Sequence, residues 1–333
     1  MKIIGTGLAC LDIINQEKEI IVMNGGTCAN VLTVLAQLGE EVMMLLPEYK
    51  QDLQRDKFYS TFKKLRVGLM FYGDTKQNIP RIVETYDENF KPAFYTKCPH
   101  CNRDLIKHRF VSYEETRVIV DSLKDYDVFF SDRISDGIKS IAKEFNKNGA
   151  KVFYEPNSGR NVKAFIEMAK MSNILKFSTD RISMSLAKNI LEQCQDCMLE
   201  LVIATHGKNG LSFCYKMDNG IFSDWIIGPY IEFDRTKDTS GAGDWLTAGF
   251  LHYWNRESFK LCRESVYNAL EQSLRLSAIA SMTEGAQGVF YNNEILGILK
   301  KEYDFELKES LKRCVRYNDG NKYCDFCLLE YTK

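Results

Sequence analysis

Short apolar runs rich in β-branched and aromatic residues recur at 3–4, 42–46, 79–85, 128–131, 151–154, 174–177 and 201–205. Runs of this length, bounded by turn residues, read as buried strands. Between them the apolar positions change to helical spacing, over 27–38, 112–123, 134–148, 162–171, 182–197, 242–254 and 261–282. Strand and helix alternate, which predicts an α/β fold: a doubly wound, mostly parallel sheet flanked by helices, with ligands outside the carboxyl ends of its strands. Two stretches leave this pattern, about 17–23 and 77–96, where alternating and partly polar residues predict a small β-sheet lid. No internal repeat, low-complexity tract or flexible linker interrupts the chain.

Composition narrows the reading. With 333 residues and 45% hydrophobic content, one principal core is expected. The 44 basic and 45 acidic residues give a net charge of -1, so nothing draws the chain to nucleic acid or to an anionic membrane. The longest apolar runs fall far short of the roughly 20 residues that span a bilayer. The opening MKIIGTGLACLDII has one lysine and an apolar stretch broken by glycines, so it reads as a strand and not as a lipoprotein signal ending at Cys10. Eleven cysteines, an odd number, several standing alone in apolar surroundings as Cys28 and Cys214 do, read as reduced thiols of a cytoplasmic protein.

Candidate chemistry centres on KDTSGAGDWLTAGFLHYW, residues 237–254. Its second half has helical spacing, with Leu246, Phe250 and Tyr253 or Trp254 on one face; these aromatics, with Trp245, are expected in the core. Its first half is a tight glycine-rich turn, so that Gly241, Ala242 and Gly243 present backbone N–H groups at a helix N-terminus, a preformed anion hole. Small residues are required because a phosphoryl group must approach the backbone closely. Asp244 stands in the first helical turn. A carboxylate there is ordinarily no more than favoured by the helix dipole, but beside an anion hole it can take a proton from an attacking hydroxyl.

DTSGAGD closely resembles the second signature, DTxGAGD, of the ribokinase-like or PfkB family of carbohydrate and nucleoside kinases. NGGTCANVLTVLAQLG, residues 24–39, resembles that family's N-terminal segment, and carried over by position it makes Gly25, Gly26 and Asn30 acceptor contacts. GLACLDII resembles the first strand, whose terminal Asp binds acceptor hydroxyls, which implies Asp12. ATHGKNG at 204–210 resembles the nucleotide turn at a strand end, implying Thr205 and Gly207. GAQGVF from Gly285 resembles the loop near the adenine, and Thr239 lies in the signature itself. YEPNSGR at 154–160 resembles a D-P-N strand end, with Glu155 in place of Asp. These matches keep family order over about residues 1–295.

One departure concerns the metal. Where the family carries Asn-x-x-Glu to organise the water shell of Mg²⁺, this chain has Ser178 and Arg181, with Asp180 the nearest carboxylate to substitute. Two other phosphate-binding signatures are excluded. GTGLAC lacks the third glycine of a dinucleotide fingerprint and reads as a strand-end turn, and no G-x-x-x-x-G-K-[ST] occurs.

The resemblance implies a kinase-like domain over 1–300, with lid segments at about 15–24 and 77–110, and a Cys-containing extension over 301–333. It implies an ATP-dependent phosphotransferase acting on a hydroxyl of a sugar or sugar acid, with ATP and Mg²⁺ as cofactors. A nucleoside kinase, a catalytically weak sugar or nucleotide sensor and a zinc-dependent interaction module are the alternatives. The cytoplasm, where ATP is found, is the expected location, and a homodimer through the lid is compatible with the family pattern.

CPHC (Cys98, Cys101) and CDFC (Cys324, Cys327) have the spacing by which two thiolates chelate one metal. A shared structural Zn²⁺ forms if the tail returns to the lid; otherwise they are four ordinary thiols. His100, His108 and Cys314 are reserve ligands. Cys194 and Cys197 are expected as neighbours on one helix face and not as ligands. Arg81 and Arg133 are expected to be solvated, and His206, inside the nucleotide turn, need not touch a ligand.

Overall fold

The structure is a computed structural model that describes residues 1–15, 19–86, 92–99, 101–105 and 108–317. In chain order the elements are β1 (Lys2–Thr6), β2 (Cys10–Asn15), β3 (Glu19–Gly25), α1 (Thr27–Gln37), β4 (Glu41–Glu48), α2 (Leu53–Lys64), β5 (Gly68–Asp74), β6 (Arg81–Tyr86), β7 (Pro92–Tyr95), α3 (Tyr113–Ile119) and β8 (Val128–Ser131). There follow α4 (Asp136–Lys147), β9 (Lys151–Tyr154), α5 (Val162–Lys170), β10 (Ile174–Ser178), α6 (Met184–Gln193), β11 (Leu201–Thr205), β12 (Leu211–Tyr215), β13 (Ile226–Ile227), α7 (Ala242–Arg256), α8 (Arg263–Ala280), α9 (Asn293–Tyr303) and β14 (Cys314–Tyr317).

Nine strands form the main sheet in the order β13-β12-β11-β10-β9-β8-β1-β4-β5, parallel except for β12 and β13. Both faces are covered, which is why the inner strands read as unbroken apolar runs. Phe130, Phe153 and Ile203 point into one core layer with α1, α7 and α8. Their neighbours Phe129, Val152 and Val202 point into the other, with α4, α5 and α6. In α4 the buried positions Ile138, Ile141, Ala142 and Phe145 follow helical spacing, and Ser135 accepts from the Ile138 N–H to cap the first turn. From β1 the sheet is wound one way into β4 and β5 and the other way into β8 to β11, so the switch point falls between β1 and β8.

The five remaining strands form a second sheet, order β14-β3-β2-β6-β7. One face, with Leu11, Ile13, Ile20, Val22 and Val83, joins the core layer of α1. The opposite face carries Asp12 beside an apolar patch of Ile14, Ile21 and Met23. The two stretches expected as a lid are β3 and β6–β7. GLACLDII, however, is not the first strand: β1 precedes it, and Asp12 lies on β2 in the lid. The tail returns to the lid as β14, antiparallel to β3.

Two further readings are corrected. The helix expected over 182–197 ends at Gln193, so Cys194 is its C-cap and Cys197 lies in the following turn, donating to the Cys194 carbonyl. Helix α2, unseen in the sequence, buries only Gln54, Phe58 and Phe62, a stripe too narrow to register as periodicity. Among the described residues no helix is long and apolar enough to cross a membrane.

Candidate active site

Glu155, just past the carboxyl end of β9, and Lys176 of β10 lie against the first turns of α7. Gly241 is the N-cap of that helix, in the left-handed region at φ +74, and no side chain caps it. A Cβ on Gly241 would stand 2.3 Å from the Cβ of Ala286, so only glycine allows this turn to close on the 285–286 loop. The Ala242 N–H is given to the Thr239 carbonyl at 3.1 Å, whereas among the described residues no protein acceptor takes the N–H of Gly241 or Gly243. Of the three N–H groups expected to form an anion hole, one is thus taken by the protein itself.

Asp238, buried, braces the turn from below. Its Oδ1 accepts from the Ser240 N–H at 2.8 Å and its Oδ2 from the Gly285 N–H at 2.6 Å. Trp245 adds a bond from its indole Nε1 to the Ala286 carbonyl at 2.7 Å. Trp245, Phe250 and Trp254 are core residues as expected, and Tyr253 packs against that core partly buried. On the lid side the Ser240 hydroxyl donates to Glu84.

Asp244 follows in the first turn of α7 and is only 9% exposed. Its Oδ2 accepts from Asn30 Nδ2 at 2.7 Å, and Gln287 Nε2 donates to Asn30 Oδ1 at 3.0 Å. Asn30, expected to face the acceptor, thus spends its amide on orienting this carboxylate. Burial first, and then the negative charge of Glu155, push the Asp244 carboxyl up to about 7; the Asn30 bond and Lys176 act in the other direction.

Glu155 follows β9, and its Oε2 accepts from the Thr247 hydroxyl at 2.6 Å, while Oε1 pairs with the Lys176 ammonium of β10. At the switch point Asp132, 1% exposed, follows β8. Its Oδ1 accepts from the Leu8 N–H at 2.9 Å, and its Oδ2 meets Arg133 Nη1 at 2.6 Å. A Cβ on Gly7 would lie 1.7 Å from that Oδ1. Arg133 is therefore an ion-pair partner and not a solvated arginine. Arg81 is also not solvated: it is 8% exposed and donates to Gln54 Oε1 at 2.6 Å.

On the lid, Asp12 accepts from the Cys10 thiol at 3.3 Å and is pushed up to about 7, chiefly by burial, against the lowering effect of that bond; Asp238 adds to the rise. A Cβ on Gly25 would stand 1.8 Å from Asp12 Oδ2. At Gly26, φ +95 and an approach of 2.5 Å to the Leu8 carbonyl exclude a side chain, and this lets α1 begin beside the end of β1.

The nucleotide candidates lie across the sheet end. Thr205 closes β11, and Thr179 donates both its N–H (2.9 Å) and its hydroxyl (3.1 Å) to the Thr205 carbonyl. Gly207, φ +56, opens a short 3-10 turn in open space. Thr239 is exposed at the signature turn, and Gly285, φ +72, packs under Ile14 and Met23 of the lid. His206 bridges Thr179 and Ser212 at 3.3 and 2.9 Å.

For a metal, the end of β10 offers the half-buried Ser178 and the exposed Asp180, with the exposed Arg181 beside them. Among the described residues no group of three His, Cys, Asp or Glu gathers to hold an ion. Cys98 is buried in the lid turn and Cys101 is exposed, while Cys324, Cys327 and His100 lie outside the described residues. Of the reserve ligands, Cys314 sits on β14, at the lid edge opposite β7, and His108 lies beside Gly7 and Arg133, its imidazole held down to about 4 chiefly by burial.

The sequence reading left out Asp132, Lys176, Asp238 and Gln287. Of these only Asp238 carried a visible signal, the D-x-S turn of the signature, in which an Asp bonds the backbone two residues on.

No protein-family model and no curated protein matches the chain. Solved structures do. It is similar to a ribokinase from Giardia lamblia (12% identity, 86% of this chain and 95% of that one, TM-score 0.71). It is also similar to a fructokinase with bound ATP from Xylella fastidiosa (17%, 90% and 98%, 0.69) and an adenosine kinase from Sinorhizobium meliloti (16%, 86% and 95%, 0.68). The resemblance read in the sequence holds at the level of architecture: the chain has the ribokinase-like fold.

Proposed function

We propose that this chain is a small-molecule kinase that transfers the γ-phosphoryl group of ATP to a hydroxyl of a sugar or sugar acid. The observation that carries the reading is Asp244, a buried carboxylate oriented by Asn30, in the same turn as the unspent N–H groups of Gly241 and Gly243. The acceptor hydroxyl gives its proton to Asp244 as its oxygen attacks the γ-phosphorus, and the bond to the ADP oxygen breaks. The two N–H groups face the charge that develops on the phosphoryl oxygens. Asp12 holds other acceptor hydroxyls. Thr205, Gly207, Thr239 and Gly285 flank the nucleotide, whose fold relatives include a fructokinase with bound ATP. Mg²⁺, held largely by the triphosphate, would neutralise its charge, with Ser178 and Asp180 able to reach its waters.

In this reading residues 1–300 form the kinase unit. Because β14 fills the edge at β3, a dimer through the lid would use the side of β7. The replacement of Asn-x-x-Glu by Ser178 and Arg181 favours one second reading, a sensor that binds sugar or nucleotide without turnover.

Release of ADP from ATP and Mg²⁺ over a panel of sugars, sugar acids and nucleosides tests the proposal. Acceptor-dependent release is expected with one class; thermal stabilisation by ligands without release would transfer the assignment to the sensor. With a working acceptor, the pH profile follows from Asp244. The base works ionised, so kcat/KM falls about tenfold per pH unit below about 7 and is level above it. A profile flat from pH 5 to 8 would remove Asp244 as the base. Gly25→Ala is expected to displace the Asp12 carboxylate and raise the acceptor KM by about tenfold or more, leaving the KM for ATP unchanged. Equal changes in both would place Asp12 away from the acceptor.

A further inference from the structure

Strand β10 is an inner strand, its residues 174–177 buried on both faces, and one of them is a lysine. Lys176 is 2% exposed. An ammonium withdrawn from water this far costs several kcal/mol unless it is paired, and even a paired one rarely stabilises a core relative to apolar residues. Its pairing is specific. Glu155 takes one N–H, and the second oxygen of that carboxylate is held by Thr247, one turn into α7. An ammonium has three N–H groups. Among the described residues Glu155 is its one hydrogen-bond partner.

The remaining donors lie beside the phosphate turn. Lys176 Nζ stands 3.6 Å, and Glu155 Oε1 3.9 Å, from the point that a Cβ on Gly243 would occupy. The missing side chain of Gly243 therefore leaves room for an atom that touches both the Gly243 N–H and the lysine. Gly243 is itself exposed, so the ammonium lies one atomic layer beneath a surface open to a ligand.

We propose that Lys176 is a second phosphoryl-binding group, a cation built into the sheet that donates to an oxygen of the transferring γ-phosphoryl as it rests on Gly243. Glu155 and Thr247 are positioning residues, which fix the ammonium and leave it donors to spare. The inference rests on the phosphotransfer reading and adds to it a residue that stands two places before Ser178, at the start of the stretch aligned with Asn-x-x-Glu, and has no role in the sequence reading. An ammonium adjoining the γ-phosphoryl separates ATP from ADP, whereas a lysine that only neutralised Glu155 would not.

The test compares wild type with Lys176→Met/Glu155→Gln, which removes both charges together and so leaves no buried carboxylate stranded. ATP and ADP affinities are measured by calorimetry in EDTA, so that the readout needs neither acceptor nor metal, and kcat is measured separately. The double variant is expected to keep its Tm and its ADP affinity, to lose roughly tenfold in ATP affinity, and to lose on the order of 100-fold in kcat. Thr247→Val should show a smaller loss in the same direction. Unchanged ATP preference and kcat in a folded double variant would overturn the role of Lys176 and leave the kinase standing. Wild-type protein that binds neither nucleotide and releases no ADP would overturn both.

Discussion

Asp244→Asn is expected to lower kcat by about 10³-fold while making the protein more stable at pH 8. The first effect is loss of the base: an amide cannot take the acceptor proton, and general-base contributions run from roughly 10² to 10⁴. The second follows from the raised carboxyl. A group whose folded pKa is about 7, against 3.8 for an ordinary Asp, favours folding while protonated, and that advantage is lost as pH rises from about 4 through about 7. At pH 8 the folded wild type carries the full cost of ionising Asp244, on the order of a few kcal/mol. The amide carries none and still accepts from Asn30. The Tm gain should therefore be largest at pH 8 and shrink toward pH 5. Glu155 is the main charge opposing Asp244, so part of the gain should vanish if Glu155→Gln is made first. A variant that lost activity and stability together would mark Asp244 as a structural carboxylate. One that kept kcat would exclude it as the base.

This opposition between stability and activity bears on what could be read before the fold was known. Strands at 128–131, 151–154 and 201–205 were legible because burial on both faces leaves an uninterrupted apolar run. The signature turn was legible because glycine and Asp are needed there locally. Lys176 was hidden for the opposite reason. In ILKF it is one polar residue in an apolar run, and its meaning depends on Glu155, 21 residues earlier, and on Thr247 in another element. Asp132 gains its place through Leu8 and Gly7, more than 120 residues away, and no local pattern announces that pairing. The bond of Asn30 to Asp244 could not be read locally, since it exists only once α1 and α7 pack together. The lid strand β2 was merged with β1 because the three residues 7–9 make a connection too short to separate two apolar segments by pattern alone.

Gly241→Ala carries the second large effect, and it joins the anion hole to the fold. Two costs add. A side chain at φ +74 is strained by about 1 kcal/mol, and a Cβ placed 2.3 Å from Ala286 Cβ and 2.7 Å from its Cα must push backbone aside, for roughly 1–3 kcal/mol more. The displaced loop carries the Gly285 N–H that binds Asp238 and the Ala286 carbonyl that binds Trp245, so the shift reaches the turn from both sides. Tm should fall by about 5–10 °C, and kcat by at least about 100-fold, because the two free N–H groups no longer aim at one point. Gly149→Ala, outside the proposed site, is the control: it has φ +72, but its Cβ would meet nothing within 4 Å, so it bears the strain without the collision. If the two variants lose the same stability, the packing of the 285–286 loop contributes nothing. If Gly241→Ala is destabilised as expected yet keeps its kcat, the turn braces the fold and the phosphoryl group is bound elsewhere. Stability loss and rate loss appearing together only at Gly241 is the outcome that ties the anion hole to the close approach of that loop.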